Sequence, residues 1–417
     1  MFGEQKVALF GASCRAAAQA AKRAGLDKVY AWDEFLDADL AHVATVAPLA
    51  QWYQEQTEPI IDLRNCMVVL CGGMENKPQL IDRLTDLGAV AGTTGNSIRD
   101  LRSIQNWKQW AESSKIGWPA TYGPFGSTSS ELTKFSREVH GNRPWLIKPT
   151  CGAGGIHVRP LPTDHSMDPG DANQYRAVQW YTQEYIPGKS IGVTYCSDRQ
   201  KTHMVGIARG IDAQELEAPL PFIYRGNIAA VSVPERAGES LEFFGSQVAK
   251  QTELRGLWQA DFQLDSEGQL WLLEINPRWS ASMELHETLQ GYSWMKKHLE
   301  LLRSPHAVLD NATEYRKASD GQIAKGIVYA PRDLVASAEQ IRRLWQNRWE
   351  GTLGELQDSA FRVADIPEPI PTGLSIPEGM PIATVLCSSG QTEVSEAVLL
   401  GKIQHARCVL LDWLKNV

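Results

Sequence analysis

Trp258-Gln259-Ala260-Asp261-Phe262-Gln263-Leu264, then Asp265-Ser266-Glu267-Gly268, then Gln269-Leu270-Trp271-Leu272-Leu273-Glu274-Ile275-Asn276-Pro277-Arg278, is the most informative stretch of this chain. Two apolar-rich runs flank an Asp/Ser/Glu/Gly turn, which predicts an antiparallel hairpin. Asp261 and Glu274 lie on opposite strands, where folding back at the turn can set them face to face. Glu274 and Asn276 are two residues apart and so share one face of the sheet. Two carboxylates and a carboxamide converging there make an oxygen-rich site for a hard cation. Mg²⁺ held in this way commonly bridges nucleotide phosphates, with Mn²⁺ as a substitute. Arg278 follows at once, a fixed cation suited to a carboxylate or a transferring phosphoryl group. An ordinary hairpin could carry a solvated acid pair, but this cluster is compact and directly follows the apolar Trp271-Leu272-Leu273. The site reading is the better one.

Upstream, Trp145-Leu146-Ile147-Lys148-Pro149 reads as a strand running into the Gly-rich Cys151-Gly152-Ala153-Gly154-Gly155, with a second strand expected at Ile156-His157-Val158. Glycines there let backbone N–H groups approach phosphate oxygens while the Lys148 ammonium neutralises them. The loop is not a Walker loop, because G-x-x-x-x-G-K-[ST] is absent and it joins two strands. Further strands are expected at Val178–Ile186, Ile191–Cys196 and Met204–Ile207, all in an antiparallel arrangement.

The first hundred residues have another texture. Val7–Phe10, Lys28–Trp32 and Met67–Leu70 read as buried strands, alternating with helical segments at Ala16–Arg23 and Lys77–Leu87. That is the pattern of a parallel sheet covered by helices. Gly11-Ala12-Ser13-Cys14-Arg15, with Asp33 after the second strand, has the context of a dinucleotide site. It lacks the later glycines of G-x-G-x-x-G, so an oxidoreductase is the weaker reading. Beyond Pro305 the composition changes again, with a Pro-rich stretch at 366–381, a strand at Ile382–Cys387 and a long helical pattern at Glu393–Leu414.

Taken in order, Lys148 with its Gly loop, Gln183-Glu184-Tyr185-Ile186-Pro187-Gly188, and Asp261…Glu274-Ile275-Asn276-Pro277-Arg278 resemble the ATP-grasp superfamily over about residues 95–290. The resemblance implies a mixed α/β and α+β chain. A Rossmann-like pre-ATP-grasp domain (1–115) would precede a two-lobed ATP-grasp domain (116–305, lobes about 116–186 and 187–305) and a small C-terminal α+β region (306–417). By position, Lys148 would contact the phosphates of ATP, and Gly152, Gly154 and Gly155 would close over them. Gln183, Glu184, Tyr185 and Ile186 would form the hinge that meets adenine, with Ser190 near the ribose. Asp261, Glu274 and Asn276 would hold one or two Mg²⁺, and Arg278 would act on the acyl phosphate. The family's second nucleotide-binding Lys has no clear counterpart; Arg102, Gln105 and Lys108 are the positional candidates.

The implied activity is carboxylate–amine ligation with release of ADP, acting on small-molecule acids and amines. The alternative is a nucleotide-binding protein that no longer turns over. Tyr224, Arg225, Ser280, Ser282 and Glu284 are neighbours of the site that could set specificity. The Pro-rich tail and Ser13-x-Arg15-Ala16 further resemble ATP-grasp carboligases of methanofuran and tetrahydromethanopterin biosynthesis, some of which join glutamate to an amine or to another glutamate.

Composition agrees with such an enzyme. Lys and Arg number 41 against 49 Asp and Glu, a net charge of −8, which argues against nucleic acid or anionic membrane as a partner. Seven scattered cysteines without a C-x-x-C pair read as reduced thiols of a cytoplasmic protein, with no zinc site. Family habit adds the expectation of a homodimer.

Overall fold

The computed structural model describes residues 5–37, 40–52, 61–64, 66–125, 144–161, 179–304, 306–309, 321–337, 339, 360–363, 373–388 and 395–415. Three principal sheets organise them.

The first is parallel, with strands β1 (Lys6–Gly11), β2 (Lys28–Asp33), β3 (Thr45–Pro48), β4 (Met67–Leu70) and β5 (Val90–Ala91) in the order β3-β2-β1-β4-β5. Helices α1 (Arg15–Arg23), α2 (Leu49–Trp52) and α3 (Pro78–Asp86) pack on it. Val7 to Phe10 are fully buried, as expected for a central strand covered on both faces. Gly25 adopts a left-handed conformation and ends the first helical segment. Two short helices follow, α4 (Gly95–Leu101) and α5 (Ile104–Ser113), started by Thr94 and Ser103 side chains that accept backbone N–H bonds at 3.1 and 3.4 Å.

The second sheet is antiparallel, in the order β6-β9-β7-β8, from β6 (Thr121–Phe125), β7 (Trp145–Pro149), β8 (Arg159–Pro160) and β9 (Trp180–Glu184). The strand expected at Ile156–Val158 falls instead at Arg159–Pro160. Gly154 and Gly155 are consecutive left-handed residues (φ 64° and 73°), so the turn runs longer than a hairpin loop. Val178 lies outside the described residues.

The third sheet has eight strands. Its first five in space are β14 (Leu270–Asn276), β13 (Arg255–Leu264), β10 (Lys189–Asp198), β11 (Thr202–Gly210) and β12 (Gly226–Ala229). The sheet then continues through β15 (Ile323–Tyr329), β19 (Pro381–Ser388) and β17 (Ala360–Val363), so these strands of the C-terminal region extend its edge. A separate pair joins β16 (Leu334–Ser337) and β18 (Gly373–Ile376). Residues 366–372 of the Pro-rich stretch lie outside the described residues.

Alternation along β13 positions the site. Trp258, Ala260 and Phe262 point into a core with Tyr195 and Phe244, under α5 and α6 (Glu235–Thr252). The Tyr195 and Trp258 rings stack with centroids 4.4 Å apart, and the Trp258 indole donates to Ser197 Oγ at 2.8 Å. Gln259 and Asp261 therefore face the other way. Helices α7 (Met283–Gln290) and α8 (Trp294–Arg303) join this sheet to the parallel unit, with α9 (Glu396–Lys415) on the far face against β15 and β19. Among the described residues, no helix is long and apolar enough to cross a membrane.

Candidate active site

The pairing of Asp261 with Glu274 depends on an irregularity. From the turn, Leu264 opposes Leu270, Gln263 opposes Trp271 and Phe262 opposes Leu272, but Asp261 opposes Glu274. Leu273 is the extra residue of a β-bulge. In unbroken register Asp261 would face Leu273, and Glu274 would project from the opposite side of the sheet. The bulge brings the two carboxylates together.

Asn276 joins them: its Nδ2 donates to Asp261 Oδ2 at 2.8 Å and to Glu274 Oε1 at 3.1 Å. A neutral N–H₂ thus bridges two carboxylates in the position a cation would favour. Its Oδ1 accepts from Arg278 Nη2 at 3.3 Å. Burial, then the Glu274 charge, pushes the Asp261 carboxyl up to about 7. Burial pushes Glu274 the same way, but the Arg102 guanidinium, the Asn276 bond, Arg278 and Lys148 outweigh it, and its carboxyl sits below the ordinary value. The environment therefore separates the two acids, as cationic neighbours and burial do elsewhere. The Glu274 side chain keeps 34% of its surface exposed, so the pair is reachable from solvent.

Of the three residues weighed for the missing lysine, Arg102 reaches the site. It follows α4 directly, where Nη1 lies 3.5 Å from Glu274 Oε2 and donates to Ile275 O at 3.3 Å. Lys108 is exposed on α5 and faces Glu112 at 3.9 Å, while the Gln105 side chain accepts from Ser103 at 3.2 Å.

Lys148 stands on β7, where its Nζ donates to Gln183 Oε1 at 2.6 Å; Gln183 Nε2 donates in turn to Thr121 Oγ1 at 3.1 Å. Burial lowers Lys148 to about 8, with Glu274 pulling it upward. The Gln183 side chain thus serves Lys148 from inside the sheet. The backbone N–H groups of Glu184 and Tyr185 donate to the Ala120 and Pro144 carbonyls at 2.8 and 2.9 Å, which closes both to adenine in this geometry. Ile186 is half-buried, and Ser190 lies on the Asp261 face of β10, two residues from Gly192 opposite Asp261.

The Gly loop is docked on two sides. Asn76 Nδ2 donates to Gly152 O at 3.0 Å, and Tyr224 N donates to Gly154 O at 2.9 Å. A Cβ on Gly155 would lie 1.9 Å from Phe222 O, so only glycine permits this closure. Gly155→Val is expected to hold the loop away from 222–224 and to lower kcat about tenfold, as misplacement of a closing segment does. Steady-state kinetics at saturating ATP checks this, and an unchanged kcat would remove the loop from the chemistry.

Sequence reasoning missed the short turn Met74–Asn76. Glu75 Oε2 lies 2.9 Å from Arg278 Nε, and Asn76 also accepts from Arg102 at 3.3 Å. The parallel unit thus reaches the site through two adjacent residues; the Gly72-Gly73 turn before them was the only local signal. Among the specificity candidates, Arg225 is engaged by four backbone carbonyls of residues 216–223 and acts as a staple for that segment. Asp33 accepts the N–H groups of Cys14 at 2.5 Å and Leu36 at 2.6 Å, so its carboxylate is occupied within its own unit. That geometry does not suit ribose recognition.

Residues 114–282 match the ATP-grasp domain family. No curated protein matches the chain by sequence. Among solved structures, the ADP complex of purK, an N5-carboxyaminoimidazole ribonucleotide synthetase, aligns at TM-score 0.67 and 14% identity, covering 100% of this chain and 99% of that one. The Staphylococcus aureus N5-carboxyaminoimidazole synthetase with ADP gives 0.65 and 14%, covering 96% and 97%. A Campylobacter jejuni biotin carboxylase–beta-gamma-ATP complex gives 0.66 and 12%, covering 98% and 95%. At these identities the likeness is one of architecture. The chain has the ATP-grasp fold, with its acid-bearing hairpin inside the matched domain.

Proposed function

We propose that this chain is an ATP-dependent carboxylate–amine ligase working through an acyl phosphate. The observation that carries the reading is the bulge-paired Asp261 and Glu274, flanked by the cations Arg102, Arg278 and Lys148. In the reaction, a substrate carboxylate oxygen attacks the γ-phosphorus of ATP and the bond to the ADP oxygen breaks. The amine nitrogen then attacks the acyl carbon, the bond to phosphate breaks, and the nitrogen gives up a proton as phosphate leaves.

The donor set fits a hard divalent cation. Asp261 and Glu274 would hold it, and Asn276 would join them if its amide turned to exchange Nδ2 for Oδ1. Bound there, Mg²⁺ would offset charge on the transferring phosphoryl group. Lys148 would neutralise phosphate oxygens from the opposite sheet, and Arg278 would bind the acyl phosphate oxygens. The docked Gly loop would exclude the water that hydrolyses an acyl phosphate. The chain needs no nucleophilic side chain for this chemistry.

Glutamate joined to an amine of a one-carbon carrier precursor is the first specific form to test, on the strength of the tail resemblance. The experiment measures ADP release with Mg-ATP across a matrix of acids and amines led by glutamate and tyramine-like amines. ADP that requires one acid and one amine is the expected result. AMP in place of ADP would overturn the acyl-phosphate route, and ATP binding without any turnover would favour the silent binder.

A further inference from the structure

Gln259 is a buried polar residue that the mechanism above does not use. It sits on β13 two residues before Asp261, opposite Asn276, and is 9% exposed. Its Nε2 donates to Asp261 Oδ1 at 2.6 Å. Its Oε1 accepts from Ser282 Oγ at 2.7 Å and from Ser280 Oγ in a shorter contact. An amide can present either end to a neighbour. An ionised carboxylate can only accept, so the Nε2 end must face Asp261, and the two serine hydroxyls, which can donate, hold Oε1 on the other side. Gly192 lies beneath: a Cβ there would be 3.0 Å from Gln259 Nε2 and 3.3 Å from Asp261 Oδ1, so a side chain would press on both groups.

The segment that supplies the hydroxyls is itself anchored. Lys325 of β15 donates to Ala281 O at 3.4 Å and forms an ion pair with Glu284; both side chains are almost wholly buried. A continuous chain of polar contacts therefore runs from β15, outside the matched domain, through the 280–282 segment and Gln259 to Asp261.

We propose that Gln259, anchored at Oε1 by Ser280 and Ser282, positions the Asp261 carboxylate so that Oδ2 is left for Asn276 and Glu274, and that this arrangement tunes the affinity of the pair for a divalent cation. With Oδ1 held by a neutral donor, Oδ2 is the oxygen turned toward Asn276 and Glu274. Outer-shell partners of this kind typically alter metal affinity ten- to a hundredfold when removed. The inference rests on the cation site proposed above and assigns Gln259 a positioning role.

The test needs no turnover. Mn²⁺ is titrated into the full chain with saturating ADP, and free Mn²⁺ is read by its electron paramagnetic resonance signal. The double variant Ser280→Ala/Ser282→Ala is expected to weaken Mn²⁺ about ten- to a hundredfold. Each single variant keeps one hydroxyl on Oε1 and should stay within about threefold, a non-additive pattern that independent structural losses would not produce. Gln259→Met fills similar space without the amide and should match the double variant, which also decides the matter should the latter fail to fold. A folded variant of either kind with Mn²⁺ affinity within about twofold of the parent overturns the positioning role, even where its melting temperature falls. Failure of the parent to bind Mn²⁺ with ADP would instead overturn the ligase reading on which the inference stands.

Discussion

Glu274→Gln is expected to lower ADP formation by at least about 10³, a loss of some 4 kcal/mol of transition-state stabilisation, while the protein stays folded. The substitution is nearly isosteric, and the Glu274 side chain is partly open to solvent, so no cavity forms. What disappears is the ionised member of the acid pair. A cation would then be held by one carboxylate whose own ionisation burial opposes. A second defect follows: Lys148 loses the carboxylate that pulls its ammonium upward, so its already lowered value falls further. The Asp261 value falls as well, since the like charge that helped push it up is gone. Glu274 is held below its ordinary value in the fold, so its loss costs stability at pH 8, and relief of the like charge on Asp261 offsets part of that: the variant should stay folded with a modest fall in melting temperature. A coupled ADP assay and a thermal melt check both halves, and retention of a tenth of the activity would mean that the acid pair does not serve the phosphoryl transfer.

That pairing also shows how far the sequence could be read. The turn at 265–268 and the alternation of Trp258, Ala260 and Phe262 against Gln259 and Asp261 make the hairpin legible. The bulge at Leu273 is not, because leucine fits a regular strand as well as a bulged one; the chemistry of the acids suggested the pairing that the regular register would have denied. Buried runs such as Val7–Phe10 and Met67–Leu70 identified the parallel unit for the same reason that they fold, since central strands bury both faces. Arg102 was only one of three candidates, because its access depends on the break between α4 and α5 and on contact with Glu274, 172 residues away. Gln259 and Asn76 gave no signal at all. A neutral amide has no pattern of its own, and its role exists only in the company that tertiary structure brings.

Lys148→Met is expected to cost about 10²–10³ in kcat/KM for ATP, the range seen when one preorganised charge or donor is removed from a developing anion. The pH profile supplies the sharper test. In the free protein Lys148 titrates at about 8, burial being the cause, so kcat/KM should fall as pH rises through that value. Bound phosphates favour the ammonium, and the corresponding fall in kcat should lie at higher pH. Lys148→Arg keeps its charge throughout and should lose this alkaline limb, although a planar fork replaces a point charge and the maximal rate should drop. Stability runs in the opposite sense. The unfolded chain holds the lysine proton up to its ordinary value of 10.5, the folded chain releases it near 8, and the unfolded state binds more protons in between. Lys148 therefore opposes folding below about pH 8, and that opposition fades between pH 8 and 10.5. Removing it strands the Gln183 carbonyl, so the absolute effect on melting at pH 7 combines two terms of opposite sign. The slope is unambiguous: the melting temperature of Lys148→Met relative to the parent should decline as pH rises from 8 to 10. A flat difference, together with an alkaline limb that survives in Lys148→Arg, would show that another group titrates there and that Lys148 meets the nucleotide in some other state.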